Sequence, residues 1–211
     1  MLDEQLFHRY LAALLAGDRK ECSRLVGDLL LNSKIDIKDL YTGLFQKSLY
    51  RVGELWEENR ISVATEHIAT AITEGLLTQL YPRIFATDYC GKKAIITCMV
   101  NEYHQVGGKM VADIFELNGW DTNFLGANIS LDELLAQIDQ GKPDIVGLSL
   151  SLSANINQLL RAAEGVRASF PQLDIFCGGQ AFRWGGQEKI SHLPGALYIP
   201  TLHELESTIA A

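Results

Sequence analysis

Two different hydrophobic periods divide this chain. From Asp3 to Ile84 the apolar residues recur at helical spacing, as in Leu40, Leu44, Phe45, Leu49, Val52, Leu55 and Trp56, while β-branched clusters and turn signals are sparse. This spacing predicts helices over residues 3–16, 19–33, 37–59 and 62–83. Gly17-Asp18, residues 32–36 and Asn59-Arg60 read as the breaks between them, and Pro82 is expected to close the last helix. Four helices of this kind predict an antiparallel bundle.

After a polar, glycine-containing stretch at residues 85–91 the pattern changes to short apolar runs that alternate with amphipathic segments. Strands are expected at 93–100, 122–125, 144–150, 174–178 and 196–199. Helices are expected at 106–118, 131–140, 155–170 and 202–210, with a short one near 187–192. Strands that are each followed by a helix imply a parallel sheet with right-handed crossovers. The strand order 2-1-3-4-5 follows by analogy with flavodoxin-like sheets. The expected class is α/β with an all-α cap. Residues 1–90 would form a four-helix bundle cap domain, and residues 91–211 a Rossmann-like, doubly wound parallel domain of five strands. No internal repeat or low-complexity tract interrupts either part.

Composition narrows the function. The 211 residues are 47% hydrophobic, enough for ordinary cores without cross-links. The net charge of −8, with no lysine or arginine run, argues against a direct nucleic-acid partner, because phosphate binding demands clustered positive charge. No apolar stretch reaches the roughly 18–20 residues that cross a bilayer, so no membrane partner is expected. The opening MLDEQLFHRY carries acids where a signal peptide has a basic segment, which predicts a cytoplasmic protein. Cys22, Cys90, Cys98 and Cys177 are far apart and form no CxxC pair, so they are expected to be reduced and mostly buried. No Ser-His-Asp arrangement, P-loop or zinc spacing points to an enzyme.

The candidate chemistry lies in Glu102-Tyr103-His104-Gln105-Val106-Gly107-Gly108, between the first strand and the helix that begins at about Val106. Ligands of open α/β sheets collect at the carboxyl ends of the strands. An imidazole there, with a carboxylate two residues earlier and a glycine three residues later, reads as an oriented metal ligand. The carboxylate holds the other ring nitrogen, and the glycine lets a bulky ligand approach the backbone. Ser149 and Ser151 near the end of the third strand and Gly178-Gly179 after the fourth supply small residues at neighbouring strand ends. In the plainer reading, Ser149, Ser151 and Ser153 simply alternate along a strand end.

On these residues the sequence resembles the cobalamin-binding module shared by methionine synthase, corrinoid methyl carriers and base-off mutases. The signature of that family is Asp-x-His-x-x-Gly, then Ser-x-Leu, then Gly-Gly. Glu102-x-His104-x-x-Gly107, Ser149-x-Ser151 and Gly178-Gly179 stand in the corresponding places over residues 92–211. The resemblance implies that His104 is the lower axial ligand of cobalt, in place of dimethylbenzimidazole. It also implies that the displaced nucleotide tail lies in a slot lined by Ser149, Ser151, Gly178 and Gly179. Two departures are visible: glutamate replaces the aspartate of the methyl carriers, and Ser151 replaces the leucine.

The helical half carries a second likeness. Trp56 is followed ten residues later by Glu66-His67, which resembles the Trp-x9-Glu-His pattern in the helical cap of light-responsive, adenosylcobalamin-binding transcription repressors. Those proteins also carry Glu-x-His-x-x-Gly. The resemblance implies that Trp56 packs against the adenosyl group, that Glu66 contacts its polar edge, and that His67 lies near the cobalt face vacated after photolysis. An indole does supply a large apolar wall with one donor. An adjacent acid and imidazole are costly to bury without a polar ligand. Taken singly, a tryptophan on an amphipathic helix is usually core and a Glu-His pair is usually solvated. His8, His192 and His203 are expected at the surface, Trp120 is expected to be structural, and Trp184 is a candidate to flank the nucleotide loop.

The repressors carry an amino-terminal DNA-binding domain, whereas this sequence opens on the helical cap. The expected function is therefore a cobalamin-binding light sensor or regulatory protein. It would hold adenosylcobalamin base-off and His-on, with methylcobalamin as the second candidate, and photolysis would change association with a protein partner or with itself. The competing expectation is a corrinoid methyl carrier of a methyltransferase system, and a third is storage or delivery of cobalamin.

Overall fold

The computed structural model describes residues 2–32 and 35–210. The expected helix end at Ser33 lies outside them. The chain divides into two compact units, Met1–Pro82 and Arg83–Ala211. The stretch after Arg83 is tied into the second unit, where the Thr87 hydroxyl donates to the Leu117 carbonyl and the Cys90 N–H donates to the Gly119 carbonyl.

In the first unit, α1 (Glu4–Leu15) begins at Asp3, whose carboxylate accepts the Gln5 N–H, and ends before Gly17 at φ 70°. Then come α2 (Arg19–Asn32), α3 (Ile37–Leu40), a π-helical segment (Tyr41–Gln46), α4 (Lys47–Glu57) and α5 (Val63–Thr78). α1 packs on α2, α4 and α5, and α4 packs on α5. Tyr10, Leu14, Leu44, Phe45, Ile72 and Leu76 are among the buried side chains that hold these helices together, each worth about 1.5–3 kcal/mol of apolar transfer.

Two helix expectations need correction. The run from 37 to 59 is not one regular α-helix, because its register loosens into the π-helical segment around Gly43. There the Thr42 hydroxyl donates to the Lys38 carbonyl, the kind of back-bonding that bends helices. The run also stops at Glu57, where Asn59 adopts φ 55° and the Arg60 and Asn59 N–H groups bond to the Leu55 and Trp56 carbonyls. That pair of bonds is a Schellman closure. The helix expected over 62–83 likewise divides, into α5 and a single turn α6 (Tyr81–Ile84). Pro82 sits in the first turn of α6 rather than ending a helix, because a residue there needs no N–H for the ladder.

The second unit is a parallel five-stranded sheet, as the alternation of strands and helices predicts, in the order β2-β1-β3-β4-β5 expected by analogy with flavodoxin-like sheets. Its strands are β1 (Lys93–Cys98), β2 (Asp121–Phe124), β3 (Ile145–Ser149), β4 (Asp174–Gly178) and β5 (Ala196–Ile199). Its helices are α7 (Val106–Leu117), α8 (Leu131–Gly141), α9 (Ile156–Ser169), α10 (Gln187–Ser191) and α11 (Leu202–Ile209), with short 3-10 turns at Ser153–Asn155 and Gln180–Trp184. β3 is buried along its whole length and β1 everywhere but Lys93, whereas edge strand β2 alternates. This is the pattern of central strands covered on both faces. Ile95, Val146, Leu148, Leu159, Val166 and Ile175 belong to the core beneath them.

β1 is two residues shorter than expected. Met99 makes only an isolated bridge to Ile129, and Asn101 at φ 67° turns the chain away from the sheet. The direction of strand addition reverses between β1 and β3, which lie side by side with Cys98 opposite Ser149. A crevice for ligands opens at such a switch point.

Candidate functional site

The turn that follows β1 is organised by one buried carboxylate. Glu102 has no exposed surface. Its Oε1 accepts the His104 N–H at 2.9 Å and meets the His104 Nδ1 at 2.7 Å. Its Oε2 accepts the Ser151 and Leu152 N–H groups from the β3–α9 loop at 2.8 and 3.0 Å. Burial pushes this carboxyl upward, but the bonds from the His104 ring and amide and from the two loop amides outweigh it and leave the group below its ordinary value. The charge therefore persists inside the fold. With Nδ1 donating to it, the imidazole carries its remaining lone pair on Nε2, and the His104 side chain is 52% exposed.

Around this ring the small residues fall into two groups. A Cβ on Gly107 would meet only the Ser149 hydroxyl, at 4.0 Å, so the space beside Ser149 is open. Gly108 is packed against Phe124, Cys98 and Ser149. Gly178 and Gly179 meet a different demand: a Cβ on either would strike backbone, 2.6 Å from the Ile199 carbonyl oxygen and 2.1 Å from that of Leu150. Close approach of neighbouring strands accounts for both glycines. Ser149 is buried with its hydroxyl toward the Cys98 thiol. Ser151 contributes its backbone amide to Glu102. Ser153 stands in the 3-10 turn after β3 rather than on the strand. Three large apolar side chains in the loops after β1, β3 and β4 are exposed: Tyr103, Leu152 and Trp184. The Arg183 guanidinium lies over the Trp184 ring at 5.5 Å.

In the helical unit, Trp56, Glu66 and His67 flank the α4–α5 corner. The Schellman closure fixes the last turn of α4, where Trp56 is 47% exposed. Ser62 caps α5 through the Thr65 N–H, and Glu66 follows in its first turn. The Glu66 carboxylate takes the Thr70 hydroxyl at 3.0 Å and the His67 Nδ1 at 2.5 Å, while the His67 side chain is 75% exposed. Trp56 is thus not a core residue. His8, His192 and His203 are exposed. Trp120 is buried, in an edge-to-face pair with Phe115 at 5.1 Å. Cys22, Cys98 and Cys177 are buried and Cys90 is exposed.

Sequence reasoning missed the part played by Asn101, within the His104 loop, and by Leu152, Asn128 and Asn155, which bond to that loop from other turns. An asparagine after a strand signals a turn and nothing more, so no local cue marks them. Among the described residues no group of three or more His, Cys, Asp or Glu could hold a metal ion. One imidazole set against a buried carboxylate suits instead a metal that arrives with its other ligands, as cobalt does in a corrin ring. The residues present fit that group.

Comparison with known proteins agrees. Residues 92–200 match the family model described as B12 binding domain, and residues 6–81 match a second model of the same description. The chain belongs to the B12 binding domain family and is a cobalamin-binding protein. It is 25% identical over 181 residues to the HTH-type transcriptional repressor CarA of Myxococcus xanthus, covering 85% of this chain and 60% of that protein. It is 24% identical over 174 residues to the repressor CarH of the same organism, covering 82% and 57%. The chain thus spans about three fifths of the length of these curated relatives. In fold it is similar to the monomethylamine corrinoid protein of Methanosarcina barkeri, with a TM-score of 0.85, 13% identity and 99% of both chains covered. A cobalamin-binding protein of Desulfitobacterium hafniense gives a TM-score of 0.51 at 15% identity, with 95% of both chains covered.

Proposed function

We propose that this protein is a light-responsive regulator that holds adenosylcobalamin base-off, with His104 as the lower axial ligand, and whose protein–protein association changes on illumination. The observation that carries the reading is the exposed Trp56 at the end of α4 and the linked Glu66 and His67 in the first turn of α5, together with Glu102 rather than aspartate behind His104. The sequence likeness to the two repressors supports it, since it runs through both units. Bound adenosylcobalamin supplies a cobalt–carbon bond that visible light cleaves.

The chain's own residues do the rest. Glu102 orients the imidazole and strengthens its donor nitrogen. The opening beside Gly107 and Ser149 admits the displaced nucleotide tail, which Ser151, Gly178 and Gly179 border at the neighbouring strand ends. Trp56 packs on the adenosyl group, Glu66 meets its polar edge, and His67 lies near the cobalt face that photolysis vacates. Loss of that contact frees Trp56 and its helix, and the ligand's differential contact with the two states is what shifts the population. The partner in this reading is a protein or a second copy of the chain, in the cytoplasm.

The test is reconstitution with adenosylcobalamin in the dark, then green light, followed by absorption spectra and size-exclusion chromatography. A change in elution that accompanies the spectral change supports the reading. A spectral change with an unaltered elution profile, with and without candidate partners, contradicts it. Methyl transfer to or from the bound corrinoid by a methyltransferase would instead make the protein a methyl carrier.

A further inference from the structure

The turn that carries Glu102 and His104 is closed by three asparagines from three different βα loops. Asn101, at φ 67°, donates its N–H to the Asn128 Oδ1 at 3.0 Å and accepts the Asn155 Nδ2 on its carbonyl at 2.9 Å. Asn128, at φ 57°, returns its own N–H to the Glu102 carbonyl at 3.0 Å. The Asn155 N–H donates to the Leu152 carbonyl at 2.9 Å, and the Leu152 N–H donates to the Glu102 Oε2 at 3.0 Å. Glu102 is therefore gripped at its backbone through Asn128 and at its side chain through the loop that Asn155 anchors. The partners dictate the amide orientations: residue 128 must present oxygen to an N–H, and residue 155 must present nitrogen to a C=O.

We propose that Asn101, Asn128 and Asn155 are positioning residues for the axial histidine, a clamp that sets the β1–α7 turn before the corrinoid arrives. This rests on the reading of His104 as the lower ligand. A coordinate bond tolerates little error in ring placement, and a turn already ordered in the free protein loses less entropy on binding. A residue that merely formed the turn would need only to accept left-handed φ, which glycine does best. A clamp needs an acceptor at 128 and a donor at 155.

That difference gives the test. Asn128→Asp keeps the acceptor, and Asn128→Gly keeps the backbone conformation but removes it. Asn155→Asp removes the donor, although aspartate immediately before α9 favours the helix start, so loss of fold and loss of clamp are separated. The dissociation constant for adenosylcobalamin is measured in the dark for each variant, with His104 present and in a His104→Ala background. Asn128→Gly and Asn155→Asp are expected to raise it about fivefold, with Asn128→Asp within about twofold of wild type and no loss of melting temperature in Asn155→Asp. In the His104→Ala background the same changes are expected to have little effect, since the coupling runs through the imidazole.

Equal effects in both backgrounds, or none in either, overturn the clamp. If wild type and His104→Ala bind alike with the same spectrum, the ligand assignment is what fails. Amide hydrogen exchange of residues 101–104 in the cofactor-free protein then judges the clamp alone. Faster exchange in Asn128→Gly and Asn155→Asp than in Asn128→Asp supports it, and equal exchange overturns it.

Discussion

The Glu102 carboxylate, itself out of contact with solvent, holds the His104 Nδ1 at 2.7 Å and spends its second oxygen on the amides of Ser151 and Leu152. One side chain thus links two strand ends. Glutamate has the reach for both tasks, and an aspartate from the same backbone position is one methylene shorter. Glu102→Ala leaves the His104, Ser151 and Leu152 amides and the His104 ring without their acceptor and is expected to cost about 3 kcal/mol of stability in the cofactor-free protein. Glu102→Asp is expected to fall between that variant and wild type in thermal or denaturant unfolding. An aspartate variant as stable as wild type would contradict the two-sided role.

The same carboxyl makes stability depend on pH. Its native value lies below the ordinary 4.5. Its contribution is therefore fully present above that pH and is lost as pH falls through the lowered native value. Comparison of wild type with Glu102→Gln isolates this group from other carboxylates. The stability gap between them is expected to be widest near neutrality and to close in acid, and a gap that widens on acidification would reverse the sign.

Thiol chemistry reports the packing of the second unit. Burial pushes Cys98 and Cys177 to about 12, with the charge of Glu102 adding to the shift at Cys98, and burial foremost pushes Cys22 to about 11. Cys90 alone among the cysteines is exposed. A thiol reagent at pH 8 is expected to label Cys90 in the native protein and the other three only after unfolding. Rapid native labelling of Cys98 or Cys177 would show that the sheet opens.

Ser48 lies fully buried in the stripe of α4, and among the described residues its hydroxyl has no hydrogen-bond partner. Ser48→Ala removes that group and improves helix propensity. It is expected to raise the unfolding free energy by about 1 kcal/mol. Destabilisation of similar size would mean that the hydroxyl is satisfied.

Trp56 tests the helical unit. Because its side chain is about half exposed, Trp56→Ala is expected to change stability by no more than about 0.5 kcal/mol. Affinity for adenosylcobalamin is expected to fall about tenfold, as the loss of a buried aromatic contact would produce, with methylcobalamin little affected. Equal losses for the two forms would remove Trp56 from contact with the adenosyl group.

The parallel direction of the strands was legible because each apolar run is followed by an amphipathic helix, whereas their order came from analogy with flavodoxin-like sheets. Glu102 and His104 were legible because a two-residue spacing lets a single carboxylate meet both the amide and the ring of one histidine. The limits of the helices were less so. Pro82 reads as a stop but sits in a first turn, and nothing around Gly43 distinguishes π from α geometry in advance. Leu152 and the three asparagines escaped for one reason: their bonds join the His104 loop, which contains Asn101, to distant turns that hold Leu152, Asn128 and Asn155, and sequence periodicity carries no information about such contacts. Gly178 and Gly179 read as room for a ligand, whereas strand packing already requires them.

Coordination of cobalt by His104 is the claim on which the rest stands. Electron paramagnetic resonance of the protein loaded with cob(II)alamin measures the axial nitrogen directly, and labelling every histidine with 15N identifies its source. The account predicts that the triplet splitting from the axial nitrogen becomes a doublet in the labelled protein and is lost in His104→Ala. A triplet that persists in the labelled protein, with dimethylbenzimidazole still on the metal, would contradict it.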